Sequence, residues 1–270
     1  MDVKKVLFIS QEIDPYVTTG DLAELSRLLP VGIQEKGAEV RTFMPRYGSI
    51  NERRNQLHEV IRLSGLNIVI DDSDHPLIIK VATLQASRMQ VYFIDNDDYF
   101  LRHNTGGGLE TVLTPELNDE RSMFFVRGVI ETVKKLRWEP GIVHCMGWIS
   151  ALAPLYIKHR YADDPSFRGC KVVYSLLPDA FDGTLDGRFA EKLRMDGFSD
   201  SEIETLAAKA AADYITLSKL AIDHSDAVAV SAEGVAPELI EYARATGKPF
   251  LDYPGAENYI DAYYNFYTTL

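Results

Sequence analysis

Cysteine is scarce: the 270 residues hold two, Cys145 and Cys170, in neither a Cys-x-x-Cys nor a metal-ligand spacing. That excludes a disulfide scaffold and a cysteine-built metal centre, and predicts reduced thiols in an intracellular core. Positive charge is also short. Against 40 Asp and Glu stand 28 Lys and Arg, a net charge of −12 with a pI near 5.0. Nucleic acid and anionic membranes both require a positive field, so neither is expected as a partner. No apolar stretch approaches the ~20 residues that cross a bilayer. The apolar run at 6–10 is too short for a signal peptide and meets Gln11 and Glu12 at once. A cytoplasmic protein is expected. Glycine and proline, 18 and 12 residues, are too few for a collagen-like or low-complexity chain.

What remains is ordinary globular composition, 46% hydrophobic, in a chain long enough to bury roughly three quarters of its unfolded surface. Residues 6–10 read as a buried parallel strand, and Leu22, Leu25, Leu28, Leu29 and Ile33 share one face of a following helix. Lys36-Gly37 ends that helix, and residues 40–44 form the next strand. This βαβ opening predicts a right-handed crossover and a parallel sheet. Short β-rich runs at 57–63, 66–70 and 77–84, split by Ser64-Gly65 and by Asp71 to Asp74, predict antiparallel hairpins inserted at the sheet edge. Residues 91–94 return as a strand. Residues 102–117, with Gly106-Gly107-Gly108, predict a mobile loop, and Asn118 or Asp119 is expected to cap a helix carrying Phe124, Val126, Val129, Ile130 and Val133.

Strand–helix pairs follow at 142–144 with a helix from about 148, at 171–175 with helices over about 189–222, and at 227–230 with 235–245. A tyrosine-rich helix over 257–270 is expected to pack back on the sheet. No repeat or linker interrupts the chain. The expectation is one doubly wound, Rossmann-like α/β domain over 1–270, its core at about 4–245.

In such a sheet, ligands bind beyond the carboxyl ends of the strands, here loops 10–21, 95–110, 144–150, 175–187 and 231–237. The first loop has Gly20 but no Gly-x-Gly-x-x-Gly, and the triple glycine does not join a strand to a helix. No nicotinamide, flavin or metal cofactor is expected.

The first loop, Glu12-Ile13-Asp14-Pro15-Tyr16-Val17-Thr18-Thr19-Gly20-Asp21-Leu22-Ala23-Glu24, resembles the opening of bacterial glycogen and starch synthases. That family runs Glu-x-x-Pro-Tyr/Phe-x-Lys-x-Gly-Gly-Leu-Ala-Asp. Further matches keep the same order: Pro45-Arg46-Tyr47-Gly48, Asp119-Glu120-Arg121, His144 with Trp148, Ala151-Leu152-Ala153-Pro154, Ala180-Phe181-Asp182-Gly183 and Asp226-Ala227-Val228-Ala229-Val230-Ser231. The resemblance spans about 4–240.

The resemblance implies a GT-B glycosyltransferase. Such enzymes have two Rossmann-like domains, a cleft active site, and glucosyl transfer from ADP-glucose to an α-1,4-glucan without a metal. On that pattern this chain supplies the first domain, which holds acceptor glucan and the donor phosphates.

Three polar motifs depart from the pattern. Thr18 stands at the family's Lys and Asp21 at its second Gly, removing a cation and adding a carboxylate where a helix N-terminus would face diphosphate. His-x-His-x-Trp-His becomes His144-Cys145-Met146-Gly147-Trp148-Ile149, and Thr-x-His-Asn becomes Ser175-Leu176-Leu177-Pro178.

His144 is the single catalytic candidate. Thr18, Gly20, Asn96, Tyr99, His144, Trp148 and Ser231 are the candidate contacts to substrate, with Trp148 offering an indole face to a sugar ring. Three readings stay open: a glucosyltransferase that needs a second GT-B-type subunit, a non-catalytic glucan- or sugar-binding regulator, and a scaffold or homo-oligomer whose cleft face has become an interface.

Overall fold

The computed structural model describes residues 3–18, 20–101, 113 and 115–270. Most of the loop expected over 102–117, including its triple glycine, lies outside the described residues.

The chain is α/β, as its pattern predicts. Its strands are β1 (Lys5–Ser10), β2 (Glu39–Pro45), β3 (His58–Glu59), β4 (Leu66–Ile70), β5 (Ser73–Leu84), β6 (Met89–Asp95), β7 (Ile142–Met146), β8 (Lys171–Leu176), β9 (Ala227–Val230) and β10 (Phe250–Leu251). They order as β10-β9-β8-β7-β1-β2-β6-β5-β3, with β4 paired to β5. Every pairing from β10 to β6 is parallel, whereas β5 runs antiparallel to β6, β3 and β4. The inserted hairpins therefore form one edge, as expected.

Alternation along β1 builds two cores. Leu7 and Ile9 face α3 (Asn118–Lys135), whose Phe124, Phe125, Val129 and Ile130 are buried. Val6 and Phe8 face the other layer, made by α1 (Asp21–Glu35) and α9 (Tyr259–Thr269). There Leu29, Ile33, Tyr263 and Tyr267 close over Val173 and Ala229.

Several local expectations are corrected. The buried stripe of α1 is Ala23, Ser26, Leu29, Pro30 and Ile33, while Leu22, Leu25 and Leu28 are half-buried at its flank. Small residues face inward because α9 crosses close by: a Cβ on Gly32 would lie 2.5 Å from Ile260 Cδ1. Neither Asn118 nor Asp119 caps α3. A 3₁₀ turn over Pro115–Leu117 runs directly into that helix. Asn118 instead accepts from Arg121 Nη1 at 2.9 Å and donates to the Leu113 carbonyl.

The helix expected from 148 is broken into a 3₁₀ turn (Trp148–Ser150), a short α4 (Ala153–Leu155) and a π turn (Tyr156–Arg160). Farther on come α5 (Phe189–Met195), α6 (Glu204–Ala207), α7 (Tyr214–His224) and α8 (Pro237–Ala245). A one-turn α2 (Asp97–Phe100) and strand β10 carry no periodic signal and were not expected.

Asp119 is an ionic anchor. Lys192 of α5, 2% exposed, places Nζ 2.8 Å from Asp119 Oδ2, 2.7 Å from Glu120 Oε1 and 2.7 Å from Asp186 Oδ2. Burial pulls the ammonium pKa down, but hydrogen bonds to the carboxylates more than offset it and the net shift is upward. Burial pushes the Asp119 carboxyl up.

Candidate functional site

The carboxyl ends of β1, β7, β8 and β9 bring together residues 11–18 with Gly20 and the loops at 147–152, 177–188 and 231–236. A cavity of about 480 Å³ opens between the first three. Gln11 and Glu12 follow β1, Gly20, Asp21 and Leu22 open α1, Trp148 follows β7, and residues 177–182 follow β8.

The chain makes this cavity for local reasons. Gly20 is the N-cap of α1 with φ of 140°, a backbone region that glycine favours. Gly147, with φ of 90°, turns the chain sharply off β7, and Gln11 fills the space beside it. The Gln11 N–H donates to the Met146 carbonyl at 2.9 Å, and its Oε1 accepts from the Ile149 N–H at 3.4 Å. Tyr47 donates its hydroxyl proton to the Gln11 carbonyl at 3.0 Å, so the loop after β1 is tied from both sides.

Asp179 is the central carboxyl of the wall and was not singled out by the sequence. Its Oδ2 accepts the Trp148 N–H at 2.6 Å, and its Oδ1 lies 2.9 Å from the Tyr214 hydroxyl. Burial pushes this carboxyl up to about 6, partly offset by those hydrogen bonds. Phe181 stands edge-on to both Trp148 and Tyr214, at 5.2 and 6.1 Å between ring centroids. The signal available was a carboxylate three residues past the end of a central parallel strand.

Four carboxylates border the cavity, on Glu12, Asp21, Asp179 and Asp182, and among its described lining residues there is no Lys, Arg or His.

The candidate residues are distributed unevenly. Gly20 and Trp148 line the cavity, but Trp148 is only 2% exposed, so Phe181 is the more open aromatic surface. Thr18 is exposed on the first loop. Asn96 caps α2, accepting from the Asp98 and Tyr99 N–H groups and donating to the Pro76 carbonyl. The Tyr99 hydroxyl lies 2.9 Å from both His75 Nε2 and Glu120 Oε2. Asn96 thus ties α2 to the inserted edge, Tyr99 bridges that edge to α3, and neither lines the cavity.

His144 and Ser231 belong to a buried network. The His144 imidazole is fully enclosed, with Nδ1 2.5 Å from the Tyr267 hydroxyl and Nε2 2.5 Å from Ser175 Oγ. Ser231 donates to Ser175 Oγ at 2.7 Å and lies 2.6 Å from the Tyr263 hydroxyl. Burial drives the imidazole pKa down to about 3, so it is neutral at pH 7. Both ring nitrogens are spent within the protein.

Among the described residues, no group of three or more His, Cys, Asp or Glu is placed to hold a metal ion. No helix there is long and apolar enough to cross a membrane.

A mostly parallel sheet with helices on both faces and a cavity at its carboxyl edge is a doubly wound α/β architecture. The fold matches the catalytic domain of starch synthase IV from Arabidopsis thaliana bound to ADP and acarbose. That match has a TM-score of 0.72 at 18% identity, over 93% of this chain and 51% of that one. The sequence pattern of the starch synthase catalytic domain matches residues 5–248. Glycogen synthases of Chlorobium luteolum and Chlorobaculum tepidum are 36% and 34% identical over 78% and 88% of this chain. This chain belongs to the starch synthase catalytic domain family and is similar to glycogen synthases. It spans about half the length of these curated relatives, 47% of each.

Proposed function

We propose that this domain binds a neutral α-glucan or related sugar in the strand-end cavity and does not by itself transfer glucose from ADP-glucose at a family-like rate. The observation that carries the reading is the charge of the cavity: four carboxylates and no cation among its described lining residues. A diphosphate there meets charge of its own sign, at roughly 1–4 kcal/mol per unit charge a few ångströms away, depending on the local dielectric. A sugar donates hydroxyl protons to those same carboxylates, which are acceptor-only groups when ionised.

Two further features support the reading. Thr18 and Asp21 stand where the family pattern has Lys and Gly. His144 has both nitrogens engaged by Tyr267 and Ser175, and no histidine is among the described residues that line the cavity. Family membership favours a second reading, catalysis of glucosyl transfer from ADP-glucose, with a second GT-B-type domain completing the cleft.

Separate calorimetric titrations with malto-oligosaccharides and with ADP-glucose distinguish the two. Saturable sugar binding with no ADP-glucose heat is expected. An incorporation assay with radiolabelled ADP-glucose and glycogen, run on wild type and on Thr18→Lys/Asp21→Gly, completes the test. Robust wild-type incorporation overturns the reading.

A further inference from the structure

A second cavity, of about 340 Å³, lies on the other side of the α1 N-terminus. Its inner wall is Asp21 and Glu24 of α1 with Glu233 after β9, and its outer wall is Tyr253, Gly255 and Tyr259. The outer wall is built from residues beyond 248, where the family match ends. Gly255, with φ of 79°, turns the chain from β10 back toward α9 and holds Tyr253 outward, 37% exposed.

The chemistry of this cavity is specific. Among its described lining residues there is no Lys, Arg or His, and Asp21, Glu24 and Glu233 make no ion pair among the described residues. Tyr253 offers an aromatic ring, and half-buried Tyr259 closes the side nearest α9. An aromatic face beside acceptor-only oxygens suits a neutral polyol, whose C–H face packs on the ring while its hydroxyls donate outward. Asp21, in the first turn of α1, borders both cavities.

We propose that this second cavity is an additional sugar subsite, continuous across Asp21 with the strand-end cavity, that takes a further unit of a linear glucan chain. This rests on the glucan-binding reading above and assigns a ligand role to the segment after residue 248. It makes affinity depend on chain length, because only an oligosaccharide that crosses Asp21 reaches Tyr253.

The test is calorimetry on the full chain with maltotriose and maltoheptaose. The longer sugar binds tighter by about fivefold, the scale of one aromatic contact. Tyr253→Ala abolishes that gain and leaves maltotriose affinity unchanged, Glu24→Leu reduces it, and Tyr253→Trp retains it. Both positions are on the surface, and equal melting temperatures verify folding. Equal affinity for the two sugars in wild type, or a gain that survives Tyr253→Ala, overturns the subsite while glucan binding stands. Absence of binding by either sugar overturns the glucan-binding reading and the subsite together.

Discussion

The hydroxyl of Tyr267, on the last helix, meets Nδ1 of His144, in the middle of a central strand, at 2.5 Å inside the protein. The residue that sequence alone nominates for proton transfer is therefore a fastener between α9 and β7. Removing the hydroxyl with Tyr267→Phe leaves a buried ring nitrogen unpaired and costs about 1–3 kcal/mol in urea unfolding.

The same imidazole gives stability a pH dependence. Folded, it titrates at about 3, against 6.5 for the unfolded residue. Between those values the unfolded chain binds the proton and the folded chain does not. Stability therefore falls as pH drops from 6.5 towards 3, by roughly 1.4 kcal/mol per unit, with no contribution above that window. Paired unfolding curves for wild type and His144→Gln should differ by this slope. Parallel pH profiles would show that the ring is not buried neutral.

Gly147 packs beside Gln11, which lines the cavity. A Cβ there would stand 2.6 Å from Gln11 Cβ, on a backbone with φ of 90°. Gly147→Ala is expected to cost about 1–3 kcal/mol and to displace the Gln11 loop. Thermal denaturation reads the first effect, and weakened malto-oligosaccharide binding reads the second.

Lys192 compensates carboxylates on three positions, one of them, Asp119, with no exposure at all. Lys192→Met should cost about 3–5 kcal/mol, because it strands buried negative charge. Adding Asp119→Asn should recover part of the loss, measured as a double-mutant cycle in urea. Additive losses would show that the two groups are not coupled.

The sheet was legible because its strands are short apolar runs between amphipathic helices, and the edge hairpins because Ser64-Gly65 and the acidic run from Asp71 punctuate them, although the turn itself is only Asp71-Asp72 and Ser73 already begins β5. The site was less so. Asn96 and Tyr99 looked like ligand contacts because polar residues past a strand end usually face solvent. Here the inserted edge and α3 consume their hydrogen bonds. Trp148 looked like a platform, but Phe181 packs over it, a contact 33 positions away that no local pattern encodes. Asp179 escaped notice because its partners, Trp148 and Tyr214, come from two other elements.

Helix α9 has a consequence for where this protein can be cut. The family pattern ends at 248, yet Tyr263 and Tyr267 beyond it seal the face of the sheet that carries Val6, Phe8 and Val173. A fragment trimmed to the family boundary would present that greasy strip to water and lose the hydroxyl partners of His144 and Ser231. It would precipitate or self-associate. The family match and the packed core of this chain end at different residues, and expression boundaries should follow the core.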